Sequence, residues 1–227
     1  MKGIRDSRFT MQDSRRGYRA SCIMYHVSFL FFTFCFLLVT ASGTYAGEPT
    51  DQMKQTIDSV LDILKNKELK KPEKTKERRA VIHKVVGSRF DFEEMSKRSL
   101  ALHWRARSSE EKGEFVALFS DLLERSYIKK IESYEDEQIL YTGETIDGDY
   151  AVVKTKIITK RNVEIPVEYR LMKKNAKFEV YDVVIEGVSL VSNYRNQFNR
   201  IIRTSSYAEL LKRMKSKQEE ELFVETR

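Results

Sequence analysis

The chain has 227 residues, of which 41 are basic, 34 acidic and three histidine, with only two cysteines and one tryptophan. Both cysteines, Cys22 and Cys35, precede residue 47, so the rest of the chain has no disulfide framework, no thiol nucleophile and no cysteine-ligated metal. The formal net charge is +7, but residues 47–227 carry only about +3, which is no nucleic-acid footprint.

The first 46 residues read as a secretory signal peptide. Arg5, Arg8, Arg15, Arg16 and Arg19 precede an unbroken apolar run, Val27 to Val39, and Thr44-Tyr45-Ala46 places small residues at the −3 and −1 positions of a cleavage site. That run is 13 residues long, short of the roughly 20 that span a bilayer; an uncleaved anchor is the competing reading. Six of the basic and two of the acidic residues lie in this segment, so the remainder carries a net charge of about +3. Residues 47–215 read as one domain and 216–227 as a tail that frays.

Helices come first. Met53, Ile57, Val60, Leu61 and Leu64 recur at helical spacing, and Pro72 opens a second helix through Ala80, Val81, Ile82, Val85 and Val86, with Gly87 placed to end it. Between them, Lys65 to Arg79 holds eight basic and three acidic residues, a solvated helix end by preference over a lipid or partner patch. Asp91 with Glu94, and Ser108 with Glu111, carry the spacing of capping boxes. The second opens a long helix to about Ser133 with an apolar stripe at Phe115, Leu118, Phe119, Leu122, Leu123 and Tyr127.

From Ile139 to Ile185 the period changes to two. Turn-formers at Asp147-Gly148-Asp149, Arg161-Asn162 and Lys174-Asn175 separate alternating runs, the signature of antiparallel hairpins. Pro166 argues for an edge position or a bulge in its strand. Gly187 suits the bend after the last strand, Ser189 caps the Leu190 helix, and Ser206 with Glu209 caps a final one. The predicted class is α+β, a curved antiparallel sheet wrapped by helices.

Tyr181-Asp182-Val183-Val184-Ile185-Glu186-Gly187-Val188-Ser189-Leu190, continuing through Asn193-Tyr194-Arg195 to Gln197-Phe198, resembles the hallmark segment of the MlaC family of toluene-tolerance (Ttg-type) periplasmic phospholipid shuttles. Phe90-Asp91-Phe92 and Leu100 to Trp104 resemble a second family stretch, and the likeness runs from Met53 to Met214. Ala101 stands where the family usually has glycine, Phe178 where tryptophan is common, and Ser205-Ser206 where a glycine is usual. The resemblance implies an NTF2-like sheet enclosing an apolar lipid pocket and a periplasmic carrier with phospholipid as cargo and no cofactor. Its partners would be an outer-membrane lipid donor or acceptor complex and the lipid-binding subunit of an inner-membrane ABC transporter, with transient contact with the membrane itself.

On that reading the candidate pocket residues are Val153, Ile157, Val167, Tyr169 and Val183 on the sheet, and Phe92, Trp104, Phe115, Phe119, Val188, Tyr194 and Phe198 beyond it. The alternative for each is ordinary core. Asp182 is expected to pair with Arg195 as a structural ion pair, with Gly187 and Ser189 shaping the bend. His83 and His103 lack HExxH spacing, and neither a GxSxG elbow nor a phosphate loop is present, so no catalytic or metal residues are assigned. A periplasmic adaptor that binds a protein segment, or an NTF2-like lipid-modifying enzyme built on Asp182 with Tyr181 or Tyr169, are the rival readings.

Overall fold

The computed structural model describes residues 48–216; the expected signal peptide (1–46), both cysteines and the tail past Ser216 lie outside them. In chain order come α1 (Glu48–Lys65), α2 (Thr75–Gly87), α3 (Phe92–Leu100), α4 (Ser109–Glu132), β1 (Gln138–Asp147), β2 (Tyr150–Ile158), β3 (Glu164–Lys174), β4 (Lys177–Ile185), β5 (Val188–Ser189), α5 (Leu190–Thr204) and α6 (Tyr207–Lys215). Short 3-10 turns, Pro72–Lys74 and Ala101–Trp104, lead into α2 and out of α3.

Side-chain caps set most helix starts. Ser108 and Glu111 form the full reciprocal box, with bonds of 2.8 and 3.1 Å. Asp91 accepts the Glu94 N–H at 3.0 Å, but the Glu94 carboxylate turns to Lys97 and Arg98, so only half of that box forms. Ser189 and Ser206 cap α5 and α6 as expected. Gly87 does not supply a left-handed stop: α2 closes on Ser88 in the right-handed region.

The five strands form an antiparallel meander in sequence order. Two-residue turns join β1 to β2, β3 to β4 and β4 to β5, and the five residues 159–163 join β2 to β3. Gly148 has φ 56°, and Glu186 and Gly187 both have positive φ (51° and 82°), the type I′ pattern whose twist matches that of flanking strands. Register shifts at Thr142 in β1 and Tyr181 in β4 insert one extra residue each, and such bulges bend and twist the sheet. The outer edge of β4 is covered twice: Arg89 and Asp91 exchange backbone hydrogen bonds with Val180, and β5 pairs the last residues.

Pro166 is a correction. It lies in β3, an interior strand, in register with Lys156. Its carbonyl accepts from the Glu186 N–H, so its nitrogen also faces the β4 side, at a level where β4 has already ended. No ladder donor is lost, because the strand is locally an edge there.

Three apolar clusters divide the interior. One joins α3, α4, α5 and α6 through Phe115, Phe119, Tyr194 and Phe198. A second lies on one face of the sheet under Met53 of α1. The third, Leu64, Ile82 and Ile128, ties the far end of α1 to α2 and α4.

Candidate functional site

Cross-strand register places one face of the sheet in four rows. Ala151, Leu171 and Val180 make the first; Val153, Tyr169 and Val183 the second, with Glu144 at its β1 end; Tyr141, Thr155, Val167 and Ile185 the third; and Ile139, Ile157 and Ile165 the fourth. Apolar alternation puts these side chains on one side because strand side chains have a period of two.

Packing fades along those rows. At the first row Met53, Ala151, Leu171, Phe178 and Val180 are all 3% exposed or less. At the other end Tyr141, Ile157, Ile165, Tyr169 and Ile185, together with Ile57 and Leu190, are apolar yet only partly buried. Burial of apolar side chains stabilises by about 25 cal/mol per Å², so a partly accessible row is a standing cost that a ligand can remove. The result is an apolar trough, closed at one end and reachable at the other.

The first half of α1 is fixed over the closed end. The N–H and hydroxyl of Thr50 both donate to Glu144 Oε2, at 2.8 and 2.6 Å. Gln52 Oε1 accepts from Arg89 at 2.6 Å and from the Phe178 N–H at 3.0 Å, and Arg89 also donates to the Phe178 carbonyl at 2.7 Å. Burial lowers the pKa of this guanidinium.

Two phenols bring polarity into the trough. Burial holds the Tyr169 hydroxyl up at about 12, while a hydrogen bond with Thr155 works the other way. Burial likewise raises that of Tyr141, with Tyr169 and Asp58 adding to the effect. The Tyr141 hydroxyl is inaccessible and has no hydrogen-bond partner among the described residues, a state that costs about 1–3 kcal/mol. Both stay protonated at neutral pH, as hydrogen-bond donors and acceptors. Among the described residues no group of His, Cys, Asp and Glu is arranged to hold a metal.

The candidate residues therefore fall into separate places. Val153, Ile157, Val167, Tyr169 and Val183 share the trough face. Phe115, Phe119, Tyr194 and Phe198 are fully enclosed and meet one another edge-on, tilted or, for Phe115 and Phe119, stacked, with ring centroids 5.2–5.9 Å apart. Trp104 joins that helical cluster, with Lys112 5.5 Å over its ring, and Phe92 packs on its margin beside Phe90. Val188 is 56% exposed on the short β5. Sequence reasoning missed Ile57, Tyr141, Ile165, Ile185 and Leu190 as trough residues; the alternation in β1, β3 and β4 carried the signal for Tyr141, Ile165 and Ile185.

Asp182 is not paired with Arg195, which instead donates to Ser192 at 3.2 Å. Buried Asp182 accepts from the Ser189 hydroxyl at 2.7 Å, the Val191 N–H at 3.0 Å and Arg170 at 3.2 Å. It fastens the strand-to-helix bend, and all its contacts are structural.

The family model described as MlaC protein matches residues 54–216. The chain is 21% identical over 190 residues to the intermembrane phospholipid transport system binding protein MlaC of Haemophilus influenzae, covering 82% of this chain and 89% of that protein. Its fold is similar to the crystal structure of a phospholipid-binding protein from Ralstonia solanacearum in complex with a phospholipid, with a TM-score of 0.67 at 20% identity, over 78% of this chain and 99% of that one. With the model match spanning nearly all the described residues, this chain belongs to the MlaC family.

Proposed function

We propose that this protein is an exported, periplasmic carrier that shelters phospholipid acyl tails in the open end of the trough and moves them between the outer and inner membranes. The graded packing of the sheet face carries this reading. The trough is apolar where cargo would lie: its polar groups there are the Tyr141 and Tyr169 phenols and the Thr155 hydroxyl, while the Glu144 carboxylate is tied to Thr50. Names of the relatives point the same way, since one belongs to an intermembrane phospholipid transport system and another is bound to a phospholipid. Among the described residues no helix is long and apolar enough to cross a membrane.

The physical demand is large. Each exposed CH₂ costs about 0.8 kcal/mol in water, so a tail of about 15 costs on the order of 12 kcal/mol. A carrier must offset most of this without holding cargo too firmly to release. Within the trough, Ile57, Tyr141, Ile157, Ile165, Tyr169 and Ile185 supply tail contacts, and the orphaned Tyr141 hydroxyl suits an ester carbonyl. The enclosed helical aromatics form the frame behind. Delivery needs a docking partner at each membrane: a lipid donor or acceptor complex in the outer one and a transporter's lipid-binding subunit in the inner one. Chemistry on the cargo is not part of this reading.

Detergent-free purification, solvent extraction and mass spectrometry provide the test. Stoichiometric phospholipid is expected; protein that arrives empty and fails to take up a fluorescent phospholipid refutes the carrier reading.

A further inference from the structure

Between Glu94 and Glu110 the sequence has no carboxylate, and between Glu186 and Glu209 it has none either. The fold brings these two acid-free stretches together: His103 Nε2 and Asn199 Oδ1 lie 3.0 Å apart, and α3 packs against α5. Arg195 and Arg203 sit one helical turn before and after Asn199, in the same row of α5. Arg105 follows the 3-10 turn directly. Arg105, Arg195, Arg200 and Arg203 are all exposed, and none has a carboxylate within ion-pair distance among the described residues. By contrast Lys54, Lys71, Lys74, Arg78 and Arg79 are each paired.

Leu102 lies on the same turn, next to His103. It is 87% exposed, the most exposed large apolar side chain of the described residues. The turn that presents it begins at Ala101 with φ 49° and ψ −115°, a conformation that L-residues rarely adopt. The backbone is thus held in an unfavourable shape while a leucine points into water. Trp104, at the end of the same turn, anchors it in the helical core.

We propose that the surface carrying Leu102, Arg105, Arg195, Arg200 and Arg203 is a docking face for an anionic bilayer surface. The arginines meet lipid phosphates and Leu102 enters the interfacial region. A cation near an anionic membrane contributes about fivefold in affinity, and one buried leucine roughly tenfold or more. Four such cations and one leucine give contact that is reversible, as a shuttling molecule requires. The face shares no residue with the trough and is defined by charge and exposure, so it stands or falls apart from the cargo assignment.

Vesicle sedimentation of the purified protein tests it, using phosphatidylcholine vesicles with and without phosphatidylglycerol. Emission of Trp104, the chain's one tryptophan, is a second readout. Binding is expected only to the phosphatidylglycerol-containing vesicles, weakening as salt screens the attraction. The double variant Arg195→Gln/Arg203→Gln should bind roughly 25-fold more weakly and Leu102→Ser about tenfold more weakly, both with unchanged circular dichroism and unchanged bound lipid. Equal binding to both vesicle types, or full binding by either variant, overturns the proposal. Absence of vesicle binding by the parent protein also overturns it and assigns the face to an acidic protein partner instead.

Discussion

The Oδ1 atom of Asp182 accepts the backbone N–H of Val191 at 3.0 Å, so a residue of β4 holds the first turn of α5. The same carboxylate takes the Ser189 hydroxyl, whose oxygen in turn caps the helix through Ser192. Removing it strands three donors at a buried bend. Asp182→Ala is expected to lower stability by about 3 kcal/mol, and Asp182→Asn by about half as much because one acceptor survives. Urea midpoints at neutral pH check both values, and lipid recovered from the folded fraction should be unchanged.

Ala101→Gly is expected to stabilise. At φ 49° and ψ −115° an alanine carries backbone strain that glycine does not, of about 1–3 kcal/mol. Glycine gives back part of this through the greater freedom of its unfolded chain, leaving a gain of about 1 kcal/mol, or roughly 2–4 °C in Tm. A lower melting temperature would show that the strain is absent.

Acid sensitivity should trace to Glu132. Arg79 and Arg78 both donate to its carboxylate at 2.6–3.2 Å, and the hydrogen bond from Arg79 above all holds its pKa below the usual value of 4.5. Because the folded state prefers the ionised form, this stabilisation is full above the unfolded pKa and disappears as pH falls through the folded one. Glu132→Gln should therefore cost about 2 kcal/mol at pH 7 and flatten the loss of stability below about pH 4.5. Urea midpoints measured across that range decide it.

Cargo and frame can be separated by a pair of substitutions. Ile157→Asp places a charge in the partly accessible row, where folding tolerates it but tails do not, and bound phospholipid should fall severalfold. Phe119→Ala empties a fully enclosed site and should cost about 3–5 kcal/mol while the protein that remains folded keeps its lipid. The opposite pattern would move the tails into the helical cluster.

Tyr141→Phe removes a buried hydroxyl with no partner, so delipidated protein should be as stable or about 1 kcal/mol more stable. Fluorescent phospholipid should be retained less well. Unaltered retention would show that this hydroxyl makes no contact with cargo.

Much of the architecture was legible because its signals are local. Caps at Ser108, Ser189 and Ser206 depend on three-residue spacing, and the hairpin turns announce themselves through Gly148, Asn175 and Gly187. Contacts that cross the molecule were not. Asp182 meets Arg170 because the bulge at Tyr181 shifts the β3–β4 register, and a one-residue insertion leaves no mark in an alternating run. Thr50 finds Glu144 across 94 positions, with nothing in either neighbourhood to announce it. The trough suffered likewise: periodicity separates inside from outside, but whether an inward isoleucine is enclosed or half open depends on what lies opposite.

Helix α1 is fastened at both extremities, by Thr50 and Gln52 to the sheet and by Leu64 to Ile82 and Ile128, while Ile57, Val60 and Leu61 between them stay partly open. A beam supported at each end resists bowing in its middle. The width of the span beneath it is therefore set by the fold at the helix's two ends, not by whatever comes to lie there.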